Sequence, residues 1–274
     1  MSTSINTNVA SLNAQRNLAA SAVSLTTSMQ RLSSGLRVNS AKDDAAGLAI
    51  ATRMDSQTRG MNVAIRNSND AISLAQTAEG ALGAITNNLQ RMRELAVQAA
   101  NGTNGLEDLI ALDAEYQLLS QENDRVVLAT KFNGLNILDG TNSPYSFQVG
   151  ADAADVITAT VGATTLSTTG GAPTLLGPGP ANALTALANI DTDLTGVNAT
   201  RAQWGAQQNR FEQVISNLRV AAENSAASRG RIMDADYAQE TANLSRSQIL
   251  QQAGTAMVAQ ANQMPQSVLA LLRQ

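Results

Sequence analysis

Residues 18–36 read LAASAVSLTTSMQRLSSGL, and residues 250–271, at the other end of the chain, read LQQAGTAMVAQANQMPQSVLAL. In the first, Leu18, Ala22, Leu25, Met29, Leu32 and Leu36 recur at alternating steps of four and three. In the second, Leu250, Gly254, Met257, Ala261, Met264, Val268 and Leu271 follow the same rule. That spacing places each set on one face of a helix and gives the pattern of a coiled-coil seam. Ordering a residue costs about 1–2 kcal/mol of backbone entropy, and a buried leucine returns about 2 kcal/mol. With so few apolar residues per turn, neither stripe is expected to fold alone. Folding coupled to assembly satisfies both ends. Periodicity alone fits an intramolecular pair closing a monomeric bundle equally well.

The stretches between the ends extend the helical pattern. A first helix is expected over about residues 5–36, and a second over about 41–100. In the second, Ala75, Ala78, Leu82, Ile85, Leu89, Met92, Ala96 and Ala99 hold the three-four alternation unbroken. About 60 residues at 1.5 Å each would make this a rod element about 90 Å long. Ser40 with Asp43, and Asn104 with Glu107, have the spacing of helix N-caps followed by acidic first-turn residues. A third helix is expected over about 106–129, carrying Leu109, Leu112, Tyr116, Leu119 and Val126. A fourth, over about 182–228, carries Leu187, Ile190, Leu194, Val197, Trp204, Phe211, Ile215, Leu218 and Ala222, interrupted by Arg201 and Gln208. The last helix follows from about Asp236, with Pro265 expected to kink or end it.

Between Phe132-Asn133-Gly134 and about residue 168 the pattern changes to short β-branched and aromatic runs. Tyr145–Val149, Val156–Val161 and Thr164–Thr168 predict a hairpin or small meander. Residues 169–180 are rich in Gly and Pro and read as an exposed loop. The fold class is mainly α: a long coiled-coil or helical-bundle rod with a small β-hairpin region, its termini pairing as a coiled coil. The expected domains are a terminal segment 1–40, a rod part 41–168, a variable loop 169–181, a rod helix 182–231 and a terminal segment 232–274.

Composition narrows the function classes. Aromatics make up 3% and charged residues 15% of the 274 residues, against about 25% charged in an ordinary globular protein. Small side chains let helices approach closely over long contacts. The net charge is −4 and no basic patch is interleaved with aromatics, so no nucleic-acid partner is expected. Without cysteine there is no disulfide framework. The start, Met1-Ser2-Thr3-Ser4-Ile5-Asn6, has no charged segment leading into an apolar one, so no cleavable signal peptide is expected. No segment approaches the ~20 apolar residues of a membrane span, and no membrane insertion is expected.

No histidine is present, which removes the commonest general base and the histidine zinc motifs. Asp43-Asp44 and Asp191 with Asp193 read as first-turn and solvated-face acids rather than a catalytic pair. Gly170-Gly171 and Gly177-Pro178-Gly179 do not precede Lys-Ser/Thr and form no phosphate loop. No catalytic, metal or cofactor site is expected.

Several long motifs resemble bacterial flagellin. They are Ile5–Asn8 with Ser11–Gln15, the run from Arg31 to Gly47 (RLSSGLRVNSAKDDAAG), Leu89–Gln98 (LQRMRELAVQ), Lys131–Gly134 and Phe147–Gly150. Toward the end come Gln248–Gly254 (QILQQAG), Ala259–Gln263 and Val268–Arg273. Together they cover roughly residues 1–150 and 183–273 in order. The short 150–182 segment departs from flagellins that insert large outer domains there.

The resemblance implies an extracellular filament subunit whose termini line the filament channel and whose middle helices form an outer rod. It implies export in the unfolded state through the flagellar type III apparatus, with a chaperone guarding the C-terminal segment. Contacts with filament-cap and hook-junction proteins are implied as well. A hook–filament junction protein is the alternative, since its ends resemble flagellin's. The resemblance further implies that Arg91, Leu95 and Glu115 contact Toll-like receptor 5, as one accessible patch on the monomer.

Overall fold

The computed structural model describes residues 7–167, 173–177 and 180–272, with side chains to residue 263. Five helices are formed: α1 (Val9–Ser34), α2 (Ala45–Ala99), α3 (Leu106–Ala129), α4 (Ala181–Met233) and α5 (Tyr237–Leu272). Between α3 and α4 lie two antiparallel hairpins, β1 (Lys131–Phe132) with β2 (Leu135–Asn136), and β3 (Tyr145–Gln148) with β4 (Val156–Ala159). The chain divides into two compact units, one made of residues 1–56 and 224–274 and the other of 57–223. The division falls inside α2 and α4, not at the breaks near residues 40 and 232 expected from the sequence.

The 57–223 unit has a continuous apolar core. Ala75, Ala78, Leu82, Ile85, Leu89, Met92 and Ala96 on α2 are fully buried, as their spacing predicts. Against them pack Tyr116 of α3, Ile190, Val197 and Trp204 of α4, and Ile137, Leu138 and Tyr145 of the β region. Phe147 of β3 meets Phe211 of α4 edge-on, with ring centroids 5.3 Å apart. The two polar interruptions of the α4 stripe have one shared partner. Gln208 Nε2 donates to Glu79 Oε2 at 3.2 Å, and Arg201 lies 3.8 Å from Glu79 Oε1.

α3 buries polar residues that its apolar spacing does not reveal. Asn123 is fully buried; its Oδ1 accepts from Asn88 at 2.9 Å and its Nδ2 faces the Met92 sulfur at 3.6 Å. Two carboxylates hold the segment before α4. Asp193 accepts the backbone N–H of Ser167, and Asp113 that of Leu175, each at 2.6 Å.

Local signals explain where the elements begin and where the sequence reading was shifted. α2 starts at Ala45 because Asp44 caps it, its Oδ1 accepting from Gly47 N at 2.8 Å. Ser40 is not the cap. Asp43 instead folds back to accept from Ser40 N and Oγ, at 2.9 and 3.0 Å. The Ser40 hydroxyl and N–H hold this carboxyl below the usual carboxylate range. Likewise Gly105 and not Asn104 precedes α3, with Asp108 Oδ2 accepting from Gly105 N at 3.0 Å. Asn104 closes the preceding turn by donating to Gln98 O at 2.6 Å. Asn133 and Gly134, at φ +49° and +80°, form the tight turn of the first hairpin. The expected strand over residues 164–168 is not formed at its described residues, where Thr164 N donates to Leu138 O at 2.8 Å.

The 1–56 and 224–274 unit is built on α1 and α5. They run antiparallel, since Asn8 meets Ala261 at one end and Arg31 meets Glu240 at the other. Gly35 ends α1 in the left-handed conformation, at φ +71°. The linkers beyond are tied together: Arg37 N donates to Met233 O at 2.7 Å, and Ala235 N to Gly35 O at 2.9 Å. Of the expected kink or end at Pro265, the end does not occur: α5 continues to Leu272. A proline there removes the N–H that would bond the carbonyl four residues back, which is Ala261's. Asn8 Nδ2 donates to that carbonyl at 2.7 Å.

Candidate assembly interface

The α1–α5 pair is a seam of small and polar residues. Ser11, Ser28, Glu240, Ser247 and Ala261 are its buried members, each under a tenth exposed. Leu18, Leu25 and Leu32 are half-buried in it, as are Ala22 and Leu36. On α5 the set continues through Leu244, Gln251, Gly254 and Val258, all half-buried. The contact is close at its centre: a Cβ placed on Gly254 would lie 3.1 Å from Leu18 Cδ1.

This seam is turned slightly from the apolar stripes expected from the sequence. Leu18, Ala22, Leu25, Leu32, Leu36, Gly254 and Ala261 belong to both. Met29, Leu250 and Met257 are 56%, 50% and 62% exposed. At the seam, serine, alanine and glycine permit the close approach. The side chains of Met264, Val268 and Leu271 lie outside the described residues. Val9, Leu12, Val23 and Ile249 join Met29, Leu250 and Met257 as exposed apolar groups on the pair.

Arg31 and Glu240 escaped the sequence reading because only apolar residues were counted along the stripe. Glu240 is 6% exposed, and its Oε1 accepts from Arg31 Nη1 at 3.1 Å. The signal that finds it is the seven-residue spacing of Glu240, Ser247, Gly254 and Ala261.

The three residues expected to contact a receptor are not brought together on the surface. Arg91 and Glu115 are, through an ion pair at 2.8 Å, with Glu94 on the other side of Arg91 at 2.9 Å. Hydrogen bonding to Glu115 and then Glu94 raises the Arg91 pKa further above its ordinary value. Leu95, however, is 1% exposed. The expectation of one accessible three-residue patch is corrected on this point: Leu95 shares the core face of α2 with Met92, Ala96 and Ala99. Residues four apart share a helix face broadly, but they differ by about 40°, enough to put one in the core and the other at its edge.

No group of three or more metal-ligating acids was found among the described residues, and no described helix is long and apolar enough to cross a membrane.

Comparison with known proteins places this architecture. Residues 5–143 match the bacterial flagellin N-terminal helical region, and residues 187–272 the bacterial flagellin C-terminal helical region. The chain is 46% identical to a flagellin of Halalkalibacterium halodurans, over 98% of this chain and 99% of that one. It is 36% identical to flagellin D of Vibrio anguillarum, over 99% of this chain and all of the relative. The crystal structure of Bacillus cereus flagellin aligns with a TM-score of 0.51 at 39% identity, covering 60% of this chain and 94% of that one. None of these likenesses favours a hook–filament junction protein. With both helical regions matched in order and the identity sustained across nearly its whole length, the chain belongs to the bacterial flagellin family, the structural subunits that polymerise into the extracellular flagellar filament.

Proposed function

We propose that this subunit is exported unfolded and that α1 and α5 acquire stable structure only on entering the filament, where they form its inner coiled-coil layer. One observation carries the reading. Among the described residues of the 1–56 and 224–274 unit, Val38 is the largest buried apolar side chain, while eight large hydrophobic side chains on α1 and α5 stand exposed. Burial on that scale does not offset the entropy of ordering two helices of 26 and 36 residues. Neighbouring subunits supply the missing contact, with Met29, Leu250 and Met257 facing them and Leu18, Leu25 and Leu32 facing α5. The 57–223 unit, which has a core of its own, serves as the outer rod; the expectation of a wholly exposed loop over 169–181 is corrected at Leu175, which is 1% exposed and packs in that core. The partners are other copies of the chain, the export apparatus and its chaperone, and the cap and hook-junction proteins. The role is structural, with no catalytic step.

Hydrogen exchange on monomer and filament tests this. Amides of α1 and α5 exchange quickly in the monomer and slowly in the filament, while those of 75–99 and 187–222 are protected in both. Strong protection of both ends in the monomer would sink coupled folding.

A second reading, recognition by Toll-like receptor 5, is supported by the exposed Arg91–Glu115 pair. A guanidinium fork beside a carboxylate suits a polar protein contact. Leu95 acts in this reading from beneath, by fixing the helix that carries Arg91. Receptor-reporter activation by Arg91→Ala monomer, matched for concentration, should fall; an unchanged response discards the contact.

A further inference from the structure

We propose that the Arg31–Glu240 ion pair is the side-chain contact that sets the register of α1 against α5, acting along the helices where the linker bonds of residues 35–37 with 233–235 act only at their ends. The need for such a contact follows from the seam itself. On α1 the seam residues are Ser11, Ala14, Leu18, Ser21, Leu25, Ser28 and Leu32. A shift of seven residues lays Leu18 over Leu25, Leu25 over Leu32, and Ser21 over Ser28. On α5 the same shift lays Ser247 over Gly254 and Gly254 over Ala261, one small residue over another. Most of these exchanges keep apolar over apolar and small over small; those that do not, Ser11 over Leu18, Leu244 over Gln251 and Gln251 over Val258, lie away from the Leu18–Gly254 centre. A seam of this kind specifies register weakly unless a polar residue marks it.

Glu240 is that mark. Its carboxylate is nearly removed from water, and its Oε1 has Arg31 Nη1 at 3.1 Å. A slip of seven residues puts Ser24 or Val38 where Arg31 stands, and leaves a buried carboxylate with no cation. Breaking a buried pair by removing one partner is strongly unfavourable, whereas the intact pair adds little net stability. The contact thus acts against the wrong register more than for the right one. At the far end of the seam, the contacts of Asn8 and Ser11 with Ala261 and Asn262 join neutral groups, whose loss costs less than that of a charge. Water replaces them at lower cost in a slipped pair.

The proposal rests on α1 and α5 of one chain pairing in the filament as they do here, and the test separates the two. The chain has no cysteine, so engineered pairs report register without interference. Leu18→Cys with Gly254→Cys reports the native register, since a Cβ at 254 lies 3.6 Å from that of Leu18, within disulfide range. Leu25→Cys with Gly254→Cys reports the slipped one, being about 10 Å out of line along the helix when the register is native. Filaments are oxidised mildly and run denatured and unreduced, where an internal bridge changes mobility and a bridge between chains doubles the mass.

The native reporter should close within the chain and the slipped reporter should not. Adding Glu240→Ser should raise closure of the slipped reporter by about tenfold. The charge exchange Arg31→Glu with Glu240→Arg should return it to the parental level, while either single change raises it or prevents polymerisation. If the native reporter does not close within the chain, the pairing itself is wrong. If it closes and the slipped reporter ignores Glu240→Ser, the pairing stands and the register role falls. Failure of the exchanged chain to polymerise, where the parent does, also overturns the proposal.

Discussion

Asn8 Nδ2 donates at 2.7 Å to the carbonyl oxygen of Ala261, across 253 residues of sequence and in the turn where Pro265 withholds the usual helical donor. Removing that amide leaves a carbonyl without its side-chain donor, whereas removing the proline makes the amide dispensable. Asn8→Ala should therefore raise the critical concentration for polymerisation, and Pro265→Ala should suppress most of that effect when the two are combined. The measurement is a double-mutant cycle on critical concentration, and additive effects would show that the two residues act independently.

The hydroxyl of Tyr116 is buried in the core and has no hydrogen-bond partner among the described residues. Burial, and then the nearby Asp193 and Asp113 carboxylates, push its pKa from 10.0 up to about 12. The neutral phenol is the form the fold favours. Its contribution is complete below pH 10, the unfolded value, and is lost as pH rises from there through about 12. Tyr145 shifts in the same direction through burial and then Asp139, so Tyr116 accounts for only part of the alkaline limb. Tyr116→Phe should leave stability at neutral pH unchanged or slightly higher, since an unpaired polar atom is removed. It should also flatten the decline above pH 10. Urea midpoints followed by fluorescence of the single tryptophan, Trp204, across pH 8 to 11.5 check both points.

Leu95→Ala and Arg91→Ala should separate stability from recognition. Truncating the buried leucine should cost about 2–5 kcal/mol, seen as a lower urea midpoint. Truncating Arg91, which is half-exposed, should leave the midpoint close to that of the parent. A drop in receptor signalling by Leu95→Ala monomer that vanishes when signalling is normalised to folded protein would place Leu95 in support of the surface and not on it.

Leu32→Asp and Met257→Asp should both stop filament growth through different contacts. Leu32 is half-buried against α5, so an aspartate there sits unpaired inside the pair. Met257 is 62% exposed on the free chain, so its aspartate acts only against a neighbouring subunit. Trp204-monitored unfolding of the 57–223 unit should match the parent in both. Electron microscopy after salt-induced polymerisation gives the readout. Normal filaments from Met257→Asp would mean that its face stays in water after assembly.

The helical stripes of the 57–223 unit were legible because large apolar residues do the packing there, and every α2 position from Ala75 to Ala99 in the stripe is buried as its spacing requires. Along α1 and α5 the same rule was misled by one residue. Ser28 is buried and Met29 exposed, because closely packed helices select for small volume rather than apolarity. Glu240 and Asn123 were invisible for a related reason: a buried polar residue carries no sequence mark of its partner, which for Asn123 is Asn88 on another helix. The Asn133-Gly134 hairpin did carry its mark in the dipeptide, although strands of two residues are too short for periodicity to show. The persistence of α5 beyond Pro265 could not be read locally, since the compensating donor comes from the opposite end of the chain.

The tie between residues 35–38 and 233–235 has a mechanical consequence. A rotating filament loads its subunits in tension and torsion, and a segment anchored by one covalent strand passes that load through a single backbone. Here Arg37 N and Ala235 N bond the two linkers to each other, and Arg37 Nη2 adds a bond to Ile232 O at 2.7 Å. A pull applied along α1 therefore reaches the second strand through these bonds as well as through its own backbone. Torque is carried by a cross-braced pair of cords, which resists twisting where a single cord would wind.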